Sequence, residues 1–188
     1  GARLNGGREN DIACRSPPDV RGAPRLLDGN AIAGLDLELI GDDARGAAVR
    51  ELHGVTVIDD SYNSSPSALR RALEVIAAEK GATRKVGVLG EMLELGGHAI
   101  ALHKECGRAA AEAGLALLFA VGGAPARALA DAAIAAGMSR AAVQHFDTSD
   151  RAAEAAAEAI REGDLVLVKG SRGIRTDLVV DRLAAEFA

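Results

Sequence analysis

The stretch VTVIDDSYNSSPSAL, residues 55–69, changes its pattern in the middle, and that change decides the fold. Val55 to Ile58 is an apolar, β-branched run of strand type, closed by Asp59 and Asp60. Ser65-Pro66 follows, with Ser as an N-cap and Pro at the first helical position, where its missing N–H costs nothing. Leu69, Leu73, Ile76 and Lys80 then share one helical face, Lys80 through its alkyl stem. The unit is strand, polar loop, helix. Upstream, residues 47–52 are a second strand candidate, and His53-Gly54 offers the turn of a hairpin.

Downstream the unit recurs. Residues 85–89, 115–121, 141–146 and 164–169 read as strands. A helix over about 99–113 would present Leu102, Cys106, Ala109 and Ala113, and another follows Gly122-Gly123. An Ala/Glu helix capped by Thr148 or Ser149 runs to Arg161, and Gly170 to Gly173 opens a last helix carrying Val179, Leu183 and Phe187. Strands alternating with helices at this spacing predict an α/β fold. It is a Rossmann-like three-layer domain with a mainly parallel sheet of five to six strands, its first strand in a hairpin. The domain spans 45–188. Residues 1–44, rich in Arg, Gly, Pro and Asp and without periodicity, read as an irregular N-terminal segment.

Composition narrows the function. The 188 residues are 48% hydrophobic but only 2% aromatic, so the core must be built from Ala, Val, Leu and Ile. A net charge of −5 lacks the basic footprint of a duplex nucleic-acid binder. Cys14 and Cys106 form no CxxC pair, which speaks against a zinc site or disulfide framework. Residues 113–126 are too short and too broken for a membrane span, and the N-terminus has no apolar signal core. The expectation is a soluble, cytoplasmic protein.

In an open parallel sheet ligands bind beyond the carboxyl ends of the strands. Two loops there are unusually polar. In DDSYNSS a strand-end carboxylate suits ribose hydroxyls and Tyr62 offers a flat face to a base; the same residues also suit a turn that caps the next helix. In KGSRG, Gly170 and Gly173 allow close backbone approach while Lys169, Ser171 and Arg172 supply donors for a carboxylate or phosphate; a strand-to-helix turn with solvated charges reads equally well. Neither G-x-G-x-x-G nor G-x-x-x-x-G-K-[ST] occurs, so the tightest phosphate site of a nucleotide is not encoded here. Glu91, Glu94, His98 and His103 are metal-ligand types, but histidines five apart do not share a helical face, and no metal site is expected.

Together, DDSYNSSPSAL, LGEMLELG with the later HKECG, and LVKGSRGIRTDLVV resemble, in order and spacing, the C-terminal domain of the Mur ligase family. Within the family, the motifs are similar to those of the branch that adds D-alanyl-D-alanine to UDP-MurNAc-tripeptide in cell-wall synthesis. The resemblance covers roughly three quarters of the chain, from about residue 45 onward. It implies an ATP-dependent amide ligase working through an acyl phosphate, with ATP and Mg²⁺ held mainly by a central P-loop domain not found in this sequence. It further implies that Arg45, Asp60, Tyr62 and Asn63 lie on the nucleotide side, and that Lys169, Gly170, Ser171 and Arg172 face the incoming D-alanyl-D-alanine. A monomer, or covalent linkage to N-terminal and central domains, follows from the same likeness. Other ligases of the superfamily, of folylpolyglutamate or cyanophycin type, and a non-catalytic nucleotide- or peptide-binding module are the alternatives.

Overall fold

The hairpin forms where residues 47–60 predict it. In the computed structural model, which describes residues 47–187, β1 (Ala48–Leu52) pairs antiparallel with β2 (Val55–Asp60). The turn residues His53 and Gly54 both have positive φ, 41° and 80°. Two such residues in a two-residue loop match the twist of the strands they join. Arg45 and the rest of the first segment lie outside the described residues.

Helix α1 (Pro66–Ala78) starts as predicted: Ser65 is extended and its Oγ accepts from the Ala68 N–H at 3.3 Å. It buries Ala68, Leu69, Ala72, Leu73 and Ile76. Lys80 does not belong to that face. The helix stops at Ala78, Lys80 is exposed, and Glu79 turns inward to accept from the Gly81 N–H. The chain continues through β3 (Arg84–Gly90), α2 (Ala99–Glu112), β4 (Leu117–Val121), α3 (Ala124–Ala135), β5 (Val143–Phe146), α4 (Ser149–Ala159), β6 (Asp164–Lys169) and α5 (Asp177–Glu186). Strands β4 and β5 begin two residues later than expected; a 3₁₀ turn over Arg140–Ala142 takes the start of β5.

The strand order is β1-β2-β6-β3-β4-β5, with every pair but the first parallel. Connections stepping outward from β2 to β5 put α1, α2 and α3 on one face, where Leu69, Leu73, Cys106, Ala110, Leu129 and Ala133 meet Ile58, Leu89, Leu118 and Leu167. The connection stepping back to β6 puts α4, and then α5, on the other face, as a single crossover hand requires. There Ala152, Ala156, Val179 and Leu183 meet Val57, Val88, Phe119 and Val168. All six residues of β6 are buried, since both faces of the central strand are covered. Each fully buried Val or Leu in it contributes roughly 1.5–3 kcal/mol.

Two helix assignments need correction. The buried stripe of α2 is His103, Cys106, Gly107 and Ala110, with Leu102 and Ala109 only half-buried. The cause is α3: a Cβ on Gly107 would stand 2.2 Å from the Leu129 carbonyl oxygen, so the glycine has to face it. The last helix does not open on the glycine loop either. A 3₁₀ turn, Arg172–Ile174, and a left-handed Arg175 (φ 64°) intervene before Asp177. At α4, Thr148 holds the N-cap position without a side-chain cap bond, and the Ser149 hydroxyl donates instead to the Ile174 carbonyl at 2.7 Å.

Candidate functional site

Because β6 inserts between β2 and β3, the loops after it and after its neighbours leave toward opposite faces of the sheet. Open α/β sheets bind ligands at such a switch point, beyond the strand ends. Register sets the neighbours there: Asp60 lies beside Lys169 across β2 and β6, and Leu89 lies beside Lys169 across β3 and β6. Side chains alternate along a strand, so Asp60 points to the same layer as Ile58, and Asp59 to the opposite one.

That parity separates two neighbouring acids. Asp59 Oδ2 accepts from Arg50 at 2.9 Å, while its Oδ1 accepts from the Ser61 N–H and hydroxyl at 3.3 and 2.6 Å. It builds the turn. Asp60 is 6% exposed and its Oδ2 lies 2.6 Å from Nζ of Lys169, which is wholly buried. Lys169 also donates to the Asn63 carbonyl at 3.0 Å, tying the loop after β2 to the end of β6. An ammonium so far from water needs such partners. Lys169 thus gives two of its N–H donors to the protein and holds Asp60 and Asn63 in place.

The rim above is more open. Tyr62 is 42% exposed, and the Arg172 guanidinium lies 5.3 Å from its ring centroid while donating to its hydroxyl at 3.3 Å. Asn63 is exposed, with its side-chain carbonyl accepting from the Ser64 N–H at 2.9 Å. Ser171 is buried: its N–H donates to the Glu91 carbonyl at 3.3 Å and its hydroxyl accepts from the Leu93 N–H at 3.0 Å. Gly170 passes Gly90 so closely that a Cβ on it would stand 3.1 Å from the Gly90 Cα. Of the four residues 169–172, Arg172 alone is exposed.

The segment after β3, which sequence reading weighed for metal, works as a clasp. Glu91 Oε2 accepts from the Gly123 N–H at 2.7 Å, its backbone N–H donates to Val121, and His103 is buried with both ring nitrogens bonded to backbone. Burial is the main cause that lowers the His103 pKa, opposed by the Ala99 carbonyl and the Glu91 charge. Among the described residues no cluster of three His, Cys, Asp or Glu is placed to hold a metal ion. What the rim does expose is an aromatic face and a guanidinium, Tyr62 and Arg172, above the buried Asp60–Lys169 pair. The clasp was missed because its bonds from Glu91 to Gly123 and from Leu93 to Ser171 join residues 32 and 78 apart in sequence. The only hint was HKECG at a fixed distance from LGEMLELG.

The family model "Mur ligase, glutamate ligase domain" matches residues 44–172. The UDP-N-acetylmuramoyl-tripeptide–D-alanyl-D-alanine ligase of Bacillus subtilis is 32% identical over 170 residues, covering 86% of this chain and 33% of its own length. Its counterpart in Mycobacterium bovis is 39% identical, covering 71% and 29%. The Bacillus alignment takes in more of the chain than residues 45–188 alone supply, so part of the first segment is matched too. Among solved structures, MurF from Acinetobacter baumannii aligns with a TM-score of 0.64 and MurF ligase from Thermotoga maritima, in complex with ADP, with 0.61. Both are 28% identical, covering 73% and 74% of this chain and 30% of theirs. The chain thus spans about a third of the length of the curated relatives it matches. Matched over more than half its length by the family model, this chain belongs to the Mur ligase family and carries that family's C-terminal domain.

Proposed function

We propose that this chain is the C-terminal part of an ATP-dependent ligase that joins D-alanyl-D-alanine to UDP-MurNAc-tripeptide in cytoplasmic peptidoglycan synthesis. The observation that carries it is the meeting of the loops after β2 and β6 at one rim, with Asp60 bound to Lys169 below and Tyr62 bound to Arg172 above. The named relatives from Bacillus and Mycobacterium add the substrate pair.

On this reading Asp60, Tyr62 and Asn63, together with Arg45 outside the described residues, form the nucleotide side. Arg172 takes the carboxylate of the acceptor dipeptide, for which a guanidinium fork is suited. Lys169 and Ser171 hold the loop, and Gly170 gives its backbone room to pass Gly90. The donor carboxylate attacks the terminal phosphate of ATP, giving an acyl phosphate and ADP. The dipeptide amine then adds to the acyl carbon, the tetrahedral intermediate expels inorganic phosphate, and the amine loses its proton. The described residues offer no Mg²⁺ ligand cluster, so no step here is assigned to the ion. The sequence contains no P-loop, and the chain by itself is inactive as a ligase on this reading; its partner regions, N-terminal and central, are covalently linked.

The test is an acceptor panel with the full-length gene product. D-alanyl-D-alanine should support ATP-dependent phosphate release and a product of matching mass, whereas glutamate or an Asp/Arg polymer should not. Turnover with glutamate alone would move the assignment to another branch of the superfamily. Ligation by the 188-residue chain alone would refute the division of labour.

A further inference from the structure

His103 is wholly buried, although a buried imidazole must satisfy two polar atoms. Nδ1 lies 2.7 Å from the Ala99 carbonyl oxygen, which can only accept, so Nδ1 carries the proton. Nε2 is then a lone pair, and it accepts from the Met92 N–H at 2.9 Å. The ring is neutral and in one tautomer. Protonation or rotation would set a donor against the Met92 N–H.

Met92 sits in the middle of the clasp. On one side of it Glu91 donates to Val121 at 2.8 Å and accepts from Ser171 N–H; on the other, Leu93 donates to the Ser171 hydroxyl. Glu94 follows at φ 66°, a left-handed conformation that a non-glycine residue keeps only when its surroundings hold it. Ser171 is thus bracketed by two bonds from one short segment, and Arg172 is the next residue.

We infer that His103 is a positioning residue for the acceptor loop 169–172: it fixes segment 91–93, and that segment fixes Ser171 and with it Arg172. This rests on the reading of that loop as the acceptor side. A histidine that merely filled the core would support all parts of the sheet alike, and the two roles differ in what a substitution moves.

The experiment uses His103→Leu, which keeps bulk and deletes both polar atoms, and His103→Gln, whose side-chain oxygen can accept from Met92. In the full-length enzyme H103L should raise the KM for D-alanyl-D-alanine about tenfold while the KM for ATP stays within about twofold, and H103Q should recover most of the loss. Amide exchange should accelerate in 91–93 and 169–174 but not in the β1–β2 hairpin. A fall in kcat with every KM unchanged, uniform loss of protection, or an H103Q no better than H103L would overturn the inference. If the wild-type enzyme refuses D-alanyl-D-alanine, the functional reading fails, yet exchange still decides: unaltered exchange at 169–174 in H103L rejects positioning. Should H103L not fold, Ser171→Ala removes the Leu93 acceptor with His103 intact, and an unchanged acceptor KM in that variant also refutes it.

Discussion

Lys169 Nζ and Asp60 Oδ2 stand 2.6 Å apart with both side chains buried, so one ion pair joins β2 to β6 directly beneath the candidate site. Removing Asp60 leaves the wholly buried Lys169 ammonium with only the Asn63 carbonyl. Asp60→Leu should therefore cost about 3–5 kcal/mol, while the double change with Lys169→Met should cost less than the two single losses added. Urea unfolding of the four species measures this. Simple additivity would show that the pair is not coupled.

Gly90 and Gly170 cross at a distance that excludes side chains. A Cβ on Gly170 would lie 2.9 Å from Thr176 Oγ1, and one on Gly90 would lie 2.8 Å from Thr176 Cγ2 and 3.0 Å from the Gly170 Cα. Alanine at either should destabilise by about 1–3 kcal/mol through overpacking. Gly97, whose added Cβ would meet nothing within 4 Å, is the control, expected within about 0.5 kcal/mol of wild type. Equal losses at all three positions would mean that the crossing is not tight.

Much of this was legible before any coordinates. The hairpin, the Ser65-Pro66 helix start and β6 over Asp164–Lys169 all follow from local chemistry. Strand alternation also puts Asp59 and Asp60 on opposite faces of the sheet, though it does not say which of them faces α1. What local chemistry did not carry is the insertion of β6 between β2 and β3, a pairing across 109 residues in the Lys169–Asp60 contact. Without it Lys169 reads as a free donor. The late start of α5 was equally hidden, because it depends on Arg175 adopting a left-handed conformation that its side chain does not favour. The stripe of α2 slipped because a close helix neighbour, not periodicity, chose Gly107 for the contact face.

Arg172 and Tyr62 make the contrasting pair, exposed and stacked at 5.3 Å. Arg172→Ala should leave unfolding within about 0.5 kcal/mol of wild type, as surface changes do. If Arg172 binds the acceptor carboxylate, the same variant should lose about tenfold or more in acceptor KM, the scale of one charge-assisted hydrogen bond. Arg172→Lys should recover only part, since an ammonium neither stacks nor forks. An acceptor KM indifferent to R172A would remove Arg172 from the binding site.

Cys106 is wholly buried on α2, and burial pushes its thiol up to about 11. Little thiolate exists at neutral pH, and reagents cannot reach it. In a Cys14→Ser background the native protein should resist alkylation at pH 8 and react on the timescale of unfolding. Rapid labelling of folded protein would show that the α2 face opens far more readily than its packing implies.

His103 ties stability to pH in a direction that its environment fixes. Its folded pKa is lowered, chiefly by burial, so between that value and the ordinary histidine pKa of about 6.5 the unfolded chain binds more protons. Its contribution is complete above about pH 6.5 and is lost as pH falls through the folded pKa. His103→Gln deletes the titration while keeping an acceptor for Met92. Unfolding curves of the two proteins should run parallel above about pH 7, and the wild type should lose stability more steeply below about pH 6.5. Parallel curves down to pH 5 would show that the buried imidazole takes up a proton in place, and its single-tautomer bond to Met92 would then not survive as the reason for the clasp.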